Sequence, residues 1–158
     1  MKRFTLAAFV AALAGSLASC TNWESESDVK NAELALTLAE GRTRYGETVN
    51  RSELLALPGL EKALDQRARK VKANVAQQLR DPTDPIWGDM WTPDLITTCG
   101  TVNGRNAYGA YAGQALFYAR DGKTARLQGD PLFKTDEASI CYDTADRRLI
   151  LRGDKPRS

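Results

Sequence analysis

Three cysteines, no histidine and a scatter of acids near the C-terminus are the chemistry-bearing residues of this 158-residue chain. Nucleophilic catalysis needs a base beside its nucleophile; without histidine the commonest base is absent, and with it Ser-His-Asp and Cys-His sites. There is no G-x-S-x-G, phosphate loop, dinucleotide fingerprint or EF-hand spacing. Asp130, Asp136, Glu137, Asp143 and Asp146 are left. A carboxylate pair hydrolyses glycosidic bonds if held at the right separation. These acids stand among Gly, Pro, Thr and Ser, however, where carboxylates commonly form turns and caps. Cys99 and Cys141 lack the spacing of zinc ligands. The expectation is a protein that is not an enzyme, with no catalytic residues, no metal and no cofactor.

The N-terminus carries a different signal. Lys2 and Arg3 precede Phe4 to Leu17, an uncharged stretch rich in Ala and Leu, and small residues follow. That is the build of a secretory signal peptide, and it is too short for a permanent membrane span. Leu17-Ala18-Ser19-Cys20 resembles the bacterial lipobox, in which a small residue precedes the cysteine that becomes the new N-terminus. Resemblance to bacterial lipoproteins implies cleavage between Ser19 and Cys20, a diacylglycerol thioether on Cys20 and acylation, for example with palmitate, of the new amine. A single myristoyl chain holds a protein only marginally, whereas a multiply acylated cysteine is a lasting membrane anchor. Thr21 follows; lipoproteins lacking Asp there usually go to the outer membrane, so the expected location is the cell envelope, facing the periplasm. The alternative is a soluble secreted protein cut nearby, with Cys20 a stray thiol.

With Cys20 assigned to lipid, Cys99 and Cys141 remain for each other in an oxidising compartment, where disulfides form and persist. Cleavage would leave 139 residues, enough for a modest core. Losing Lys2 and Arg3 leaves 20 basic residues against 20 acids, so no basic excess points to nucleic acid.

The elements that position these residues divide the chain into a signal peptide (1–19), a lipidated tether (20–27), a helical segment (28–57) and an α+β domain (58–158). Ser27 can cap a first helix through about Glu40, with Gly41 placed to end it. Asn50 and Glu53 mark a second, short helix, and Pro58-Gly59 a break. Leu60, Leu64, Ala68, Val71, Val75 and Leu79 trace one apolar stripe, predicting a long amphipathic helix over 60–80. Its other face carries Lys62, Arg67, Arg69, Lys70, Lys72 and Arg80 and reads as solvated rather than as an anion-binding patch. Pro82 and Pro85 forbid further helix and open a connector holding Trp87 and Trp91. Short β-rich runs follow at 95–102, 111–120, 123–127, 138–142 and 147–152, separated by turn signals such as Asn103-Gly104 and Asp121-Gly122. The expected fold is α+β: the long helix packed on a four- or five-stranded antiparallel sheet, braced by a bridge from its first strand to a late one.

Cys99-Gly100-Thr101-Val102-Asn103-Gly104-Arg105-Asn106, continuing through Gly109, Tyr111, Gly113 and Phe117, resembles a pattern found in small exported bacterial proteins, CG-x-VN-x-(K/R)-N followed by G-x-Y-x-G. An upstream Asp-Pro motif ending in an aromatic is matched by Asp81, Pro82 and Trp87, so the resemblance covers about residues 71 to 142. It implies an exported domain and no particular activity. The residues themselves admit two readings. Asn and Gly here tolerate positive φ and shape a connection between strands. Alternatively Asn103, Arg105, Asn106, Tyr108 and Tyr111 present polar groups from a fixed loop, the mixture that recognises a protein or glycan. Trp87 and Trp91 likewise either pack the helix onto the sheet or serve as exposed anchors.

Together these readings predict a lipid-anchored binding or interaction module with an envelope protein or glycan as partner. A carboxylate-dependent wall hydrolase and a structural envelope protein are the alternatives.

Overall fold

Ser25 starts the first helix. Its hydroxyl accepts the Asp28 N–H and its own N–H donates to the Asp28 carboxylate, a reciprocal capping box two residues before the expected cap. The computed structural model describes residues 25–120, 122, 124–142 and 147–154; the signal peptide, Cys20, Asp121, Asp143 and Asp146 lie outside them. Helix α1 (Glu26–Arg44) runs through Gly41 rather than stopping there. A mid-helix glycine costs about 1 kcal/mol, and the Arg44–Glu40 ion pair at 2.7 Å holds the turn around it.

Asn50 caps α2 (Arg51–Leu55) by accepting the Ser52 N–H, as its sequence predicts. Gly59, at φ 78°, then turns the chain into α3 (Leu60–Gln78). The first half of α3 contributes Leu60, Ala63 and Leu64 to a cluster with Val29, Leu36 and Leu54 of the first two helices. Its second half contributes Ala68, Val71 and Val75 to a cluster with Trp87, Met90, Val102 and Phe117 of the sheet. One helix thus joins two cores.

The sheet has five antiparallel strands: β1 (Ile86–Thr92), β2 (Thr98–Asn103), β3 (Ala115–Ala119), β4 (Arg126–Leu127) and β5 (Arg148–Leu151), in the order β4-β3-β2-β1-β5. The α+β architecture expected from the sequence is the one observed. Two of its elements are corrected. The connector holding Trp87 and Trp91 is itself a strand, β1. Between Trp87 and Met90 it takes three steps against two along β2, a bulge that breaks the alternation by which a strand is recognised. Trp87 and Met90 therefore face α3, and Trp91 faces the opposite side with Cys99 and Tyr118.

The run 138–142 is not a strand. It completes a short helix, α4 (Thr135–Ala138), and a single 3-10 turn (Ser139–Tyr142). The disulfide explains why. Cys99 sits on β2, whose two edges are already paired with β1 and β3. A segment bringing Cys141 to it must cross the sheet's face instead of adding to its edge. The Cys99–Cys141 bridge, with Cα atoms 5.8 Å apart, therefore joins β2 to the 3-10 turn and not to a late strand. Trp91 Nε1 donates to the Cys141 carbonyl at 3.1 Å beneath it.

Candidate functional site

Asn103 ends β2 and Ala115 begins β3, so the motif residues between them form the β2–β3 connection. Gly104 sits against Leu79, just beyond α3, where a Cβ would lie 3.1 Å from Leu79 Cδ2. Arg105 and Tyr111 then form an isolated antiparallel bridge. Inside it Asn106 organises a tight turn. Its backbone N–H donates to the Ala110 carbonyl at 2.8 Å, and its Oδ1 accepts the N–H groups of Tyr108 and Ala110 at 2.9 and 3.1 Å. Gly109 takes φ 77° to close the turn, a conformation glycine adopts without steric cost. Asn103 Oδ1 accepts the Gly113 N–H at 3.0 Å, tying the far end of the loop back to its start.

Asp84, in the connector before β1, clamps this loop from outside. Its carboxylate receives Arg105 Nη2 at 2.7 Å and the Tyr111 hydroxyl at 3.1 Å. The Arg105 guanidinium also lies 5.2 Å from the centre of the Tyr111 ring. Next to it the hydroxyl and N–H of Thr83 hold the Asp81 carboxyl below its ordinary range.

The candidate residues accordingly separate by role. Asn103, Arg105, Asn106 and Tyr111 each make a contact that shapes the loop. Tyr108 is 93% exposed at its tip, an aromatic ring presented to solvent on a backbone held from both sides.

No protein-family model, curated protein or solved structure matches this chain.

Trp87 and Trp91 do not join the loop's surface. Both are buried, Trp87 edge-on to Phe117 with Lys72 Nζ over its ring and Trp91 beneath the Arg147 guanidinium. Their packing accounts for them, and neither is an exposed anchor. The basic face of α3 is also not one surface. Arg67 is buried against α1, where Nη2 donates to Thr37 Oγ1 at 2.8 Å and Nε lies 3.6 Å from Glu33. Lys70 pairs with Glu33, and Arg69 with Asp65.

Of the C-terminal acids, Asp130 and Glu137 are each engaged separately. Asp130 accepts the Leu132 N–H in a turn. Glu137 accepts from Lys134 Nζ at 2.8 Å and from the Tyr118 hydroxyl at 3.0 Å. Lys134 first, and then Tyr118, hold the Glu137 carboxyl below its ordinary value, so it carries no proton to donate near neutrality. Among the described residues no three Cys, Asp or Glu side chains are grouped to hold a metal. Ser27 and Lys30 share the S-x-x-K spacing of serine–lysine hydrolases. Lys30 is instead paired with Glu26 at 2.8 Å, and the Ser27 hydroxyl lies 2.6 Å from that of Ser25.

Asp84 is the site residue that sequence reasoning missed. It lies 21 positions before Arg105, and no spacing rule links the two.

Proposed function

We propose that the protein is a lipid-anchored envelope module that binds a protein or glycan through the β2–β3 loop, with Tyr108 as its anchor and no catalytic step of its own. The lipobox-like Leu17-Ala18-Ser19-Cys20 supports the anchor. The bridge between the two remaining cysteines suits an oxidising compartment. The observation that carries the binding reading is the exposed Tyr108 on a pre-formed loop. An aromatic with a phenol tip offers a large contact area with few torsions to immobilise, and a rigid loop has little order left to lose on binding.

The test is cross-linking in intact cells followed by capture of the tagged, full-length protein. A captured component that competes with untagged protein, and is lost with Tyr108→Ala while the fold is retained, supports the reading. Equal capture by Tyr108→Ala and wild type removes the loop as the binding element. Co-sedimentation with peptidoglycan independent of Tyr108 would favour a structural role. Release of wall fragments abolished by Asp130→Ala, Asp136→Ala or Glu137→Ala would favour a hydrolase.

A further inference from the structure

Helix α1 buries one apolar side and exposes two leucines on the opposite side, among Ser27, Asn31 and Gly41. Val29, Ala32, Leu36 and Ala39 are buried in the core. At about 100° per residue, Leu34, Leu38 and Tyr45 fall on the side facing directly away, and they are 59%, 58% and 85% exposed. A surface helix ordinarily carries polar residues there. Leu38 also borders an open groove of about 210 Å³ between the first two helices, whose floor is Ala35, Val49, Leu54 and Leu57. Leu38 thus joins the exposed leucine pair to a groove that is mostly apolar, with Arg42, Asn50 and Glu53 also in its lining.

Two cations border the leucine line and three acids, Glu26, Glu47 and Glu53, stand just outside it, so the surface carries no net positive charge. Helix positions within about 60° of the line through Leu34 and Leu38 include Lys30 and Arg42 and no acid. The two cations have flanking partners, Glu26 at 2.8 Å and Glu47 at 3.9 Å, and Glu53 lines the groove. All four paired side chains are more than 60% exposed, and ion pairs so exposed are weak enough to exchange for another anion.

We infer that this face of α1 lies on the phospholipid headgroup layer of the membrane that holds the anchor. The inference rests on the reading of Cys20 as lipidated. Only four residues separate Cys20 from Ser25, which caps the helix, so an extended tether spans at most roughly 18 Å. Acyl chains on Cys20 then keep the first turn of α1 beside the bilayer. Leu34 and Leu38 follow roughly 12 and 18 Å further along the axis, where a helix tied at its N-terminus can lay them flat on the surface. Two leucines and a tyrosine make a weak contact by themselves, but a tethered contact needs little affinity because its effective concentration is high.

Docking would leave the proposed binding loop uncovered. Gly59, at the start of α3, meets Asp28 and Val29 of α1, while Gly104 packs on Leu79 just past the far end. Helix α3 has 19 residues and spans roughly 28 Å. Leu34 and Leu38 face away from the core that α1 shares with α3, so the Tyr108 loop, reached only past the far end of α3, is no part of the docked face.

The experiment uses the full-length protein purified from membranes, with Leu34→Cys, Leu38→Cys or Tyr108→Cys labelled by a polarity-sensitive fluorophore. Cys20 is acylated and the other cysteines are bonded, so each variant has one free thiol. Intact mass verifies the diacylglycerol, and each sample is reconstituted into phosphatidylethanolamine–phosphatidylglycerol vesicles. The expected result is blue-shifted emission at positions 34 and 38, quenched by lipid carrying a headgroup-level quencher, with position 108 remaining water-like. Water-like emission at 34 and 38 in a lipidated, vesicle-bound sample overturns the docking and leaves the anchor standing. A blue shift that lipid-borne quencher does not touch, and that grows with protein density, assigns the face to a second copy and also overturns it. A mass without lipid removes the anchor and the docking together.

Discussion

The Arg105 guanidinium lies 2.7 Å from the Asp84 carboxylate, and this contact fastens the β2–β3 loop to the segment entering β1. Both side chains are about one-third exposed, which limits their coupling to about 0.5–1 kcal/mol. A double-mutant cycle of Asp84→Asn and Arg105→Ala should return a value in that range. The larger effect should be local: faster amide exchange at Tyr108 and Ala110, because Asp84→Asn removes the charge that holds Arg105 at the base of the loop, while the Tyr111 hydroxyl keeps the Asp84 backbone carbonyl as an acceptor at 3.2 Å. Unchanged exchange would show that Asn106 holds the turn unaided.

Gly59→Ala should be among the most damaging single-methyl additions. Its Cβ would meet the Asp28 carbonyl carbon and the Val29 nitrogen at 2.7 Å, and φ is 78°. Backbone cannot swing aside as a side chain can, so overpacking of about 1–3 kcal/mol adds to a left-handed strain of about 1–2 kcal/mol. Gly41→Ala, with open space around it and an ordinary helical position, should raise stability by up to about 1 kcal/mol. Chemical denaturation of the two variants against wild type checks both signs.

Gly59 shows what local sequence can reveal, and Gly41, expected to end a helix that runs through it, shows where it misleads. Pro58-Gly59 reads as a break because proline and glycine act on their own backbone, and the stripe from Leu60 to Val75 reads as a helix because its period is local. Strand β1 was hidden because its bulge puts Trp87 and Met90, three positions apart, on the same face. The run 138–142 is β-rich in composition, yet both edges of its disulfide partner's strand are occupied, a fact of topology that no window of sequence contains. In the site, the shaping role of Asn103, Asn106 and Gly109 was legible as turn chemistry. The clamp from Asp84 was not, since it joins two segments only through the folded sheet. Arg67 reads as a surface residue on helical spacing until α1 covers it.

Glu137 predicts an acid-sensitive brace. Its carboxylate accepts from Lys134 and from Tyr118, which also accepts the Lys134 N–H at 3.3 Å. The folded-state value of Glu137 is lowered, by Lys134 first. The unfolded chain therefore takes up the proton at a higher pH than the native protein. The resulting stability is fully present above the ordinary glutamate value of about 4.3 and is lost as pH falls through the lower folded value. Wild type should exceed Glu137→Gln in Tm by a constant margin at neutral pH, and the margin should shrink below about pH 4. A margin that grows on acidification would contradict the sign.

Breaking the Cys99–Cys141 bridge should be the costliest change to the α4 side of the sheet. It closes a loop with a sequence separation of 42, worth roughly 3 to 4 kcal/mol in the chain-entropy model, a large share of a small domain's net stability. Both cysteines are almost fully buried, so reductant should act slowly on the native protein and faster in mild denaturant. Loss of the bridge frees the 3-10 turn and with it the Trp91 Nε1 bond to the Cys141 carbonyl. Trp91 emission should then shift to the red, whereas Trp87, packed against Phe117 on the other face of the sheet, should keep its environment. Comparing Cys99→Ala/Cys141→Ala in Trp23→Phe/Trp87→Phe and Trp23→Phe/Trp91→Phe backgrounds leaves one tryptophan in each and separates the two signals. A red shift from Trp87 as large as that from Trp91 would mean that the bridge supports the whole sheet and not only the segment crossing its face.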